Sequence, residues 1–431
     1  MIFTSSPLVD KLKKISLSDF SLWLILFIPV FVDLANGLLL SKNLHFFSIG
    51  ILYRTFLFLA TFIFIGLIQQ KTLLVYSSAL TVTFFIVNGF WFVGSDNYSL
   101  IHESQFFIKI LLPISLLSFL IYLNQTKEIK LNFLIELVVY FGFVASVALI
   151  FSFLTGMGME AYKKSEYSFG IKSYFIAIND IGLAVLLSYI FGLHAFFKNF
   201  GWFNFLKCFI IFCGLLLLTS RAATLGALGC TFLFLFSIIF FKKNDVNLSN
   251  VTKSIVIISF LICFIAGTYQ LYRVYQKYNF LIVKFEKLLE ETPRHKTISL
   301  AQKRINGRSW LLNLTGEGFL TFSNRIAKQY DYNLTQWTKS EEVGKLVEQD
   351  YYDLVGSYGY VLGFLVLLFP TVMLLKMGWI FLRNRTLLNF TFLTAMCIFM
   401  LHSFLAGHAL ISPTVAPVIV VVYFYIFSLK N

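Results

Sequence analysis

The sequence has few charged residues for its length, and this excludes an ordinary soluble domain. Charged residues occupy 13% of the 431 positions, whereas hydrophobic residues occupy 58%. Soluble domains carry about 25% charged residues. Together with a mean hydropathy of +0.79, this composition predicts a protein that crosses a membrane many times.

Acidic residues are scarcer than basic ones, and the formal net charge is +14. A nucleic-acid-binding role is nevertheless excluded, because the basic residues are scattered between apolar stretches instead of clustered on one soluble domain. Cytoplasmic loops rich in Lys and Arg, together with an anionic partner at the membrane, explain the charge better.

The usual signs of a disulfide framework or a metal site are missing as well. All five cysteines fall inside apolar stretches, and the six histidines are dispersed. No HxxxH, DxD or clustered Cys/His pattern and no Walker-type glycine-rich loop is present. We therefore expect neither a metal nor a cofactor, which argues against a nucleotide-sugar enzyme with a DxD-type site.

Apolar stretches of spanning length recur along the chain and predict an all-α polytopic fold with about twelve transmembrane helices. The predicted organisation is nine spans in residues 1–272, a large outer loop in 273–353 and three spans in 354–431. The spans are expected near 19–40, 46–67, 72–93, 106–124, 132–154, 173–197, 203–219, 222–241, 254–272, 354–375, 387–406 and 410–428.

Basic residues are concentrated in alternate short loops, as in Lys71, Lys242 and Lys376, whereas 94–105 has no Lys or Arg. This asymmetry predicts that both termini are cytoplasmic and that the long loop lies outside. The basic N-terminus lacks a small-residue cleavage site, so we expect the first span to remain as an anchor.

Ser220 and Arg221 interrupt an apolar run that extends from 209 to 241. One interpretation is a tight helical hairpin, with Ser220 as the N-cap of the next helix and Arg221 at the lipid headgroups. The other is an anion site, because an arginine inside a membrane costs about 2.5–3.5 kcal/mol and usually faces a cavity or an anionic partner. A helix that starts at Ser220 would add partial positive charge.

Two shorter polar stretches lie on the same predicted side. Lys172, Asn179 and Asp180 enter the sixth span, where Lys172 can snorkel and the other two can bond a neighbouring helix. His408 lies in a short turn between the last two spans, a position where a lone histidine is more often a turn residue than a catalyst.

The outer loop contributes two further candidate stretches. Arg304 and Arg308 are four residues apart, so on a helix they would share a face and grip a diphosphate. The alternative is an exposed basic helix followed by a turn. Gly316 and Gly318 would permit a sharp turn or close backbone approach.

Carboxylates are packed tightly where the loop returns to the membrane, at Glu348, Asp350 and Asp353. A carboxylate at a partly desolvated membrane mouth is suited to act as a general base. The simpler interpretation is that acidic residues stabilise the first turn of a helix through its dipole.

Taken in order, these motifs resemble the O-antigen polymerase and O-antigen ligase superfamily. The resemblance covers about residues 165–415 and depends on order and placement, because each motif is short. Its elements are K-x-Y-F-x-x-x-N-D (Lys172 to Asp180), S-R (Ser220, Arg221), GR-x-W with GEG (Gly307 to Gly318), the acidic return (Glu348 to Gly363) and GH-x-x-x-SP (Gly407 to Pro413).

The resemblance implies metal-independent glycosyl transfer at the periplasmic face of a bacterial inner membrane. The donor would be a sugar chain on undecaprenyl diphosphate, and the diphosphate carrier would be the leaving group. The implied residues are Glu348 and Asp350 for catalysis, Arg221, Arg304, Arg308 and Lys172 for the diphosphate, and Ser220, Asn179, Asp180 and His408 in support.

One departure from the superfamily bears on the reaction. Its ligases typically have a histidine followed by asparagine at the loop's return, where this chain has Glu348-Gln349-Asp350. The departure favours a polymerase of O-antigen or capsule repeat units over a ligase that transfers glycan to lipid A core. A chain-length regulator would then be a further candidate partner.

A flippase or transporter of the same lipid-linked oligosaccharides is the non-enzymatic alternative. The large outer loop and the absence of visible repeated halves argue against it.

Overall fold

Helices dominate the computed structural model, which describes residues 17–44, 48–68, 70–94, 99–127, 129–160, 170–240, 293–329 and 347–429. The first ten helices are α1 (Leu17–Leu26), α2 (Ile28–Ser41), α3 (Ile49–Phe62), α4 (Phe64–Leu67), α5 (Lys71–Gly94), α6 (Leu100–Thr126), α7 (Leu131–Thr155), α8 (Ile178–Lys198), α9 (Trp202–Leu217) and α10 (Arg221–Phe240). The others are α11 (Pro293–Asn306), α12 (Trp310–Thr315), α13 (Phe319–Gln329), α14 (Asp350–Arg383), α15 (Leu387–Leu405) and α16 (Ala416–Ser428).

Seven helical segments in the described part of the chain are long and apolar enough to cross a membrane. They are α3 continued by α4, followed by α5, α6, α7, α8, α14 and α15. The pair α1 and α2, bent by 41°, makes an eighth if it is one span, and α9, α10 and α16 are shorter apolar helices. The chain is therefore a multi-pass helical membrane protein, while the predicted span at 254–272 lies outside the described residues.

The core is formed around two predominantly apolar helices that are buried on all faces. Every residue of α8 from 181 to 194 and of α16 from 416 to 426 is buried. A helix that is hydrophobic all round needs neighbours on every side. Accordingly, α8 packs against α7, α9, α10 and α15, and α16 packs against α6. In contrast, α3 and α5 expose apolar side chains such as Leu59 and Phe85.

A short two-stranded sheet is the one departure from the all-α prediction among the described residues. Strands β1 (Met159–Glu160) and β2 (Ile171–Ser173) pair antiparallel, with Met159 opposite Ser173. The Ser152 hydroxyl at the end of α7 donates to the Ser173 hydroxyl at 2.7 Å, which ties this hairpin to the bundle.

The described part of the predicted outer loop is helical and docks on the bundle through its glycines. Gly359 has a φ of 71° and bends α14. A Cβ on Gly359 would lie 2.3 Å from the Leu314 carbonyl oxygen, and one on Gly316 would lie 2.3 Å from that of Ser357. Only glycine allows this contact, so the expected close approach at Gly316 is confirmed. Gly318 also contributes, with a φ of 83° and a backbone N–H that donates to the Ser357 carbonyl at 2.9 Å.

Two side chains from the bundle complete this docking. The Trp91 Nε1–H donates to the Gly316 carbonyl at 3.2 Å. The buried Glu103 carboxylate accepts from the Leu320 backbone N–H at 3.3 Å, in the first turn of α13. The helices α12 and α13 are therefore held against α5, α6 and α14.

Candidate functional site

The polar motifs meet at one end of the bundle. The Asn179 side chain at the start of α8 donates to the Ala406 carbonyl after α15 at 3.5 Å, and the Ser412 hydroxyl donates to Asp180 at 2.8 Å. The start of α10 is also close, because a Cβ built on Gly182 would lie 3.5 Å from Ser220 Oγ. We call this the loop end, where α8, α10 and α14 begin and α15 ends.

A tight backbone contact at the loop end joins Glu348 to Gly407, the residue before His408. A Cβ on Gly407 would lie 2.2 Å from the Glu348 carbonyl carbon, so position 407 requires glycine. Glu348 and His408 both have positive φ, at 65° and 64°. Such conformations cost about 1–3 kcal/mol each and cluster at functional sites. Both residues are partly exposed.

Asp350, the other predicted catalytic carboxylate, is fully buried. One of its oxygens accepts from the Leu410 backbone N–H at 3.0 Å, and Ser403 and His408 lie beside it. These contacts tie the first turn of α14 to the turn after α15. Asp350 has the geometry of a structural residue, and Glu348 is the more accessible of the two.

Asp353 holds the approach to α14 from the other side. Its two carboxylate oxygens accept from the backbone N–H groups of Val347 at 2.9 Å and Gln349 at 3.3 Å. Asp353 thus binds the backbone N–H of Gln349, which occupies the N-cap position of the same helix. This network fixes the segment that carries Glu348.

Arg304 and Arg308 do converge, but on a carboxylate of the chain itself. Their Nε atoms lie 2.9 and 2.7 Å from one oxygen of Glu317, and Arg325 lies 2.9 Å from the other. The expectation that Arg304 and Arg308 share one helix is wrong, because α11 ends at Asn306 and Arg308 follows in the turn. Three guanidinium groups around one carboxylate leave a net positive charge.

The three arginines differ sharply in exposure. The Arg308 side chain is 1% exposed and also donates to the carbonyls of Val355, at 3.4 Å, and Gly356, at 2.8 Å. Burial lowers the pKa of Arg308, and the Glu317 carboxylate opposes that shift. Arg304 is 30% exposed and Arg325 47%. The outward-facing charge of the cluster therefore belongs to Arg304 and Arg325.

Ser220 and Arg221 form the turn of a hairpin between α9 and α10. The Ser220 hydroxyl accepts from the Ala223 backbone N–H at 3.2 Å, so Ser220 is the N-cap that the sequence suggested. Arg221 is exposed and makes no hydrogen bond or ion pair with the described residues. Arg221 therefore lies where the helical-hairpin interpretation predicts it. Its exposed guanidinium group is also able to bind an anion.

Lys172 lies on β2 nearby, where its Nζ donates to the Ile176 carbonyl at 3.0 Å. A mainly apolar cavity of about 510 Å³ opens beside this strand. Its wall includes Ser152, Gly170, Ile171 and Thr219. Lys172 and Arg221 therefore both lie on the side of the loop end that the β1–β2 hairpin and the α9–α10 turn form.

A second group of charges, which no sequence motif indicated, lies within the spans. Arg54 on α3 bonds Asp33 on α2, and it also donates to the Thr414 hydroxyl at 3.1 Å. Thr414 in turn donates to Asp33 at 2.8 Å. Lys109 on α6 is a further charged residue within a span. The available signal was a single charged residue within each apolar run, which marks a candidate functional site in a membrane protein.

No protein-family model matches the sequence, and no curated protein matches it.

Proposed function

We propose that the protein polymerises undecaprenyl-diphosphate-linked repeat units of O-antigen or capsule. The observation that supports the proposal is that Glu348, a partly exposed carboxylate, lies at the same end of the bundle as exposed cations such as Arg221. A hydroxyl nucleophile needs a base, and a diphosphate leaving group needs positive charge. The motif resemblance supplies the substrate class.

The proposed topology has about twelve spans and both termini in the cytoplasm of a bacterial cell. The loop end and helices α11–α13 then lie on the periplasmic side of the inner membrane. The distribution of basic residues between alternate loops supports this orientation.

The proposed reaction is a single displacement at the anomeric carbon of the growing chain. Glu348 accepts the proton of a sugar hydroxyl on the acceptor, whose oxygen forms a bond to that carbon as the bond to the diphosphate oxygen breaks. The electron pair leaves with undecaprenyl diphosphate, and nearby cations stabilise the developing negative charge.

Residue roles follow from accessibility. Glu348 is preferred to Asp350 as the base, because Asp350 is buried and bonded to the Leu410 N–H. Arg304 is preferred to Arg308 for the diphosphate, and Arg325 joins it, because Arg308 is enclosed by its own contacts. Arg221 and Lys172 are further candidates for binding the diphosphate. Both substrates are tethered to one membrane, so proximity contributes to the rate.

Glu348→Gln is expected to abolish chain extension while leaving the fold intact. The assay uses purified protein in liposomes with a lipid-linked repeat unit, and the length of the lipid-linked products is resolved on a gel. Loss of a positioned general base lowers rates about 10²- to 10⁴-fold. The matched control is Glu136→Gln, since Glu136 is an exposed carboxylate near the opposite end of the bundle.

Full-length products from Glu348→Gln would reject Glu348 as the base. Unextended units on the outer leaflet of cells that lack the protein are expected for a polymerase, whereas units retained on the inner leaflet would indicate a flippase.

A further inference from the structure

Glu317 is a buried carboxylate with three arginine partners. Its side chain is 2% exposed, and one oxygen accepts from the Nε–H groups of Arg304 and Arg308 while the other accepts from Arg325. Neutralising the buried Arg308 would require only that one arginine at the carboxylate. The contacts to the two exposed arginines therefore need a separate explanation.

The backbone on both sides of Glu317 is fixed by the bundle. The Gly316 carbonyl accepts from the Trp91 indole N–H at 3.2 Å, and the Gly318 N–H donates to the Ser357 carbonyl at 2.9 Å. Both glycines have positive φ, at 77° and 83°. Helices α5 and α14 thus set the position of the turn that carries the Glu317 carboxylate.

Arg304 and Arg325 reach this carboxylate from two different helices, α11 and α13. Each guanidinium uses one N–H on Glu317, through Nε in Arg304 and Nη1 in Arg325. These two nitrogen atoms are therefore no farther apart than one carboxylate and two hydrogen bonds of 2.9 Å allow. The side chains are 30% and 47% exposed, and neither forms another hydrogen bond within the described part of the chain.

Two neighbouring guanidinium groups suit two linked phosphate groups. The planar fork of an arginine matches the oxygens of one phosphate, so a diphosphate can engage both forks where a monophosphate satisfies one. The two cations also repel each other, and a carboxylate between them offsets that repulsion. The carboxylate that binds both arginines is thus able to keep them together as a pair.

We propose that Glu317 is a positioning residue that holds Arg304 and Arg325 side by side, so that the pair selects a lipid diphosphate over a lipid monophosphate. The inference rests on the proposed function for the class of carrier, and it adds the residue that sets the specificity for that carrier. Arg308 has a different task, because it joins the same carboxylate to the Gly356 carbonyl of α14 at 2.8 Å.

The substitution Glu317→Gln separates positioning from simple charge, because the two predict opposite changes. It removes a negative charge beside the arginines, so charge alone would tighten the binding of any phosphate. We expect affinity for undecaprenyl diphosphate to fall about tenfold and affinity for undecaprenyl monophosphate to stay within about twofold. Both affinities are measured with purified protein in phosphatidylcholine nanodiscs at constant salt.

Glu136→Gln is the matched control, since it removes an exposed carboxylate near the opposite end of the bundle and should leave both affinities unchanged. Arg325→Lys is the second variant. It keeps the charge at a side chain that is 47% exposed but replaces the fork with a point charge, so the preference for the diphosphate should fall. Thermal unfolding of each variant is recorded in parallel. A retained preference in Arg325→Lys would overturn the pair even if Glu317→Gln did not fold.

Unchanged or tighter binding of undecaprenyl diphosphate by Glu317→Gln overturns the inference and leaves the proposed function standing. An equal loss for both probes marks Glu317 as a structural residue and also overturns it. A loss confined to the diphosphate, in a protein that extends no chain, supports the inference and rejects the polymerase. A wild-type protein without preference for the diphosphate overturns the inference, and the chain-extension assay then decides on the polymerase alone.

Discussion

The Glu317 carboxylate binds three arginines, Arg304, Arg308 and Arg325. These differ in exposure, so substitutions of the buried and exposed arginines can be compared directly. Arg308→Ala removes a buried guanidinium and leaves the Val355 and Gly356 carbonyls without their donor. We expect a loss of about 3 kcal/mol in the free energy of unfolding, because breaking a buried charged contact is expensive. The measurement is the thermal unfolding midpoint in detergent.

Arg325→Ala is the control for Arg308→Ala, since the Arg325 side chain is 47% exposed. Exposed ion pairs contribute about 0–1 kcal/mol, so its midpoint should stay near that of the wild-type protein. Equal losses in the two variants would show that Arg308 has no special structural role. If Arg325 helps to bind the diphosphate, the polymerisation rate should fall more in Arg325→Ala than in Arg308→Ala.

At the scale of elements, the bend in α14 is the joint between the outer helices and the bundle. Gly359→Ala places a Cβ 2.3 Å from the Leu314 carbonyl oxygen at a φ of 71°. We expect the turn before α13 to be displaced, which exposes α12 and α13 and speeds their cleavage by an added protease. Limited proteolysis followed by mass spectrometry locates the cuts.

The same helix provides the control for this substitution. Gly378 is helical, and a Cβ on it would meet no atom within 4 Å apart from the backbone of its own helix. Gly378→Ala should therefore leave the digestion pattern unchanged and raise helix stability by about 0.5–1 kcal/mol. Identical digestion of the Gly359→Ala and Gly378→Ala variants would contradict the proposed joint.

Element boundaries and local roles show what the sequence could predict. Apolar runs are local signals, so the predicted spans coincide with helices through most of the described chain, and the N-cap at Ser220 is confirmed by its bond to Ala223. The strands β1 and β2 were missed because five residues of pairing leave no periodic pattern.

Contacts between distant segments were beyond sequence reasoning. Thr414 bonds Asp33 across 381 positions, and nothing near either residue announces the other. Similarly, the i and i+4 spacing of Arg304 and Arg308 indicated a shared target, but the buried partner Glu317 is supplied by the GEG turn. Charged residues need partners in a membrane, and identifying which partner requires the three-dimensional fold.

At the scale of the whole molecule, the proposed chemistry depends on which side of the membrane the loop end faces. Lys328 is exposed at the end of α13, and Arg385 is exposed between α14 and α15. Since α14 runs from the loop end to the opposite end, these positions lie on opposite sides of the bundle. In a variant without its native cysteines, Lys328→Cys should react with a membrane-impermeant maleimide in intact spheroplasts. Arg385→Cys should react only after the membrane is permeabilised. The reverse pattern would put the loop end in the cytoplasm, where a flipped lipid-linked substrate is out of reach, and would reject the polymerase mechanism while leaving the fold unchanged.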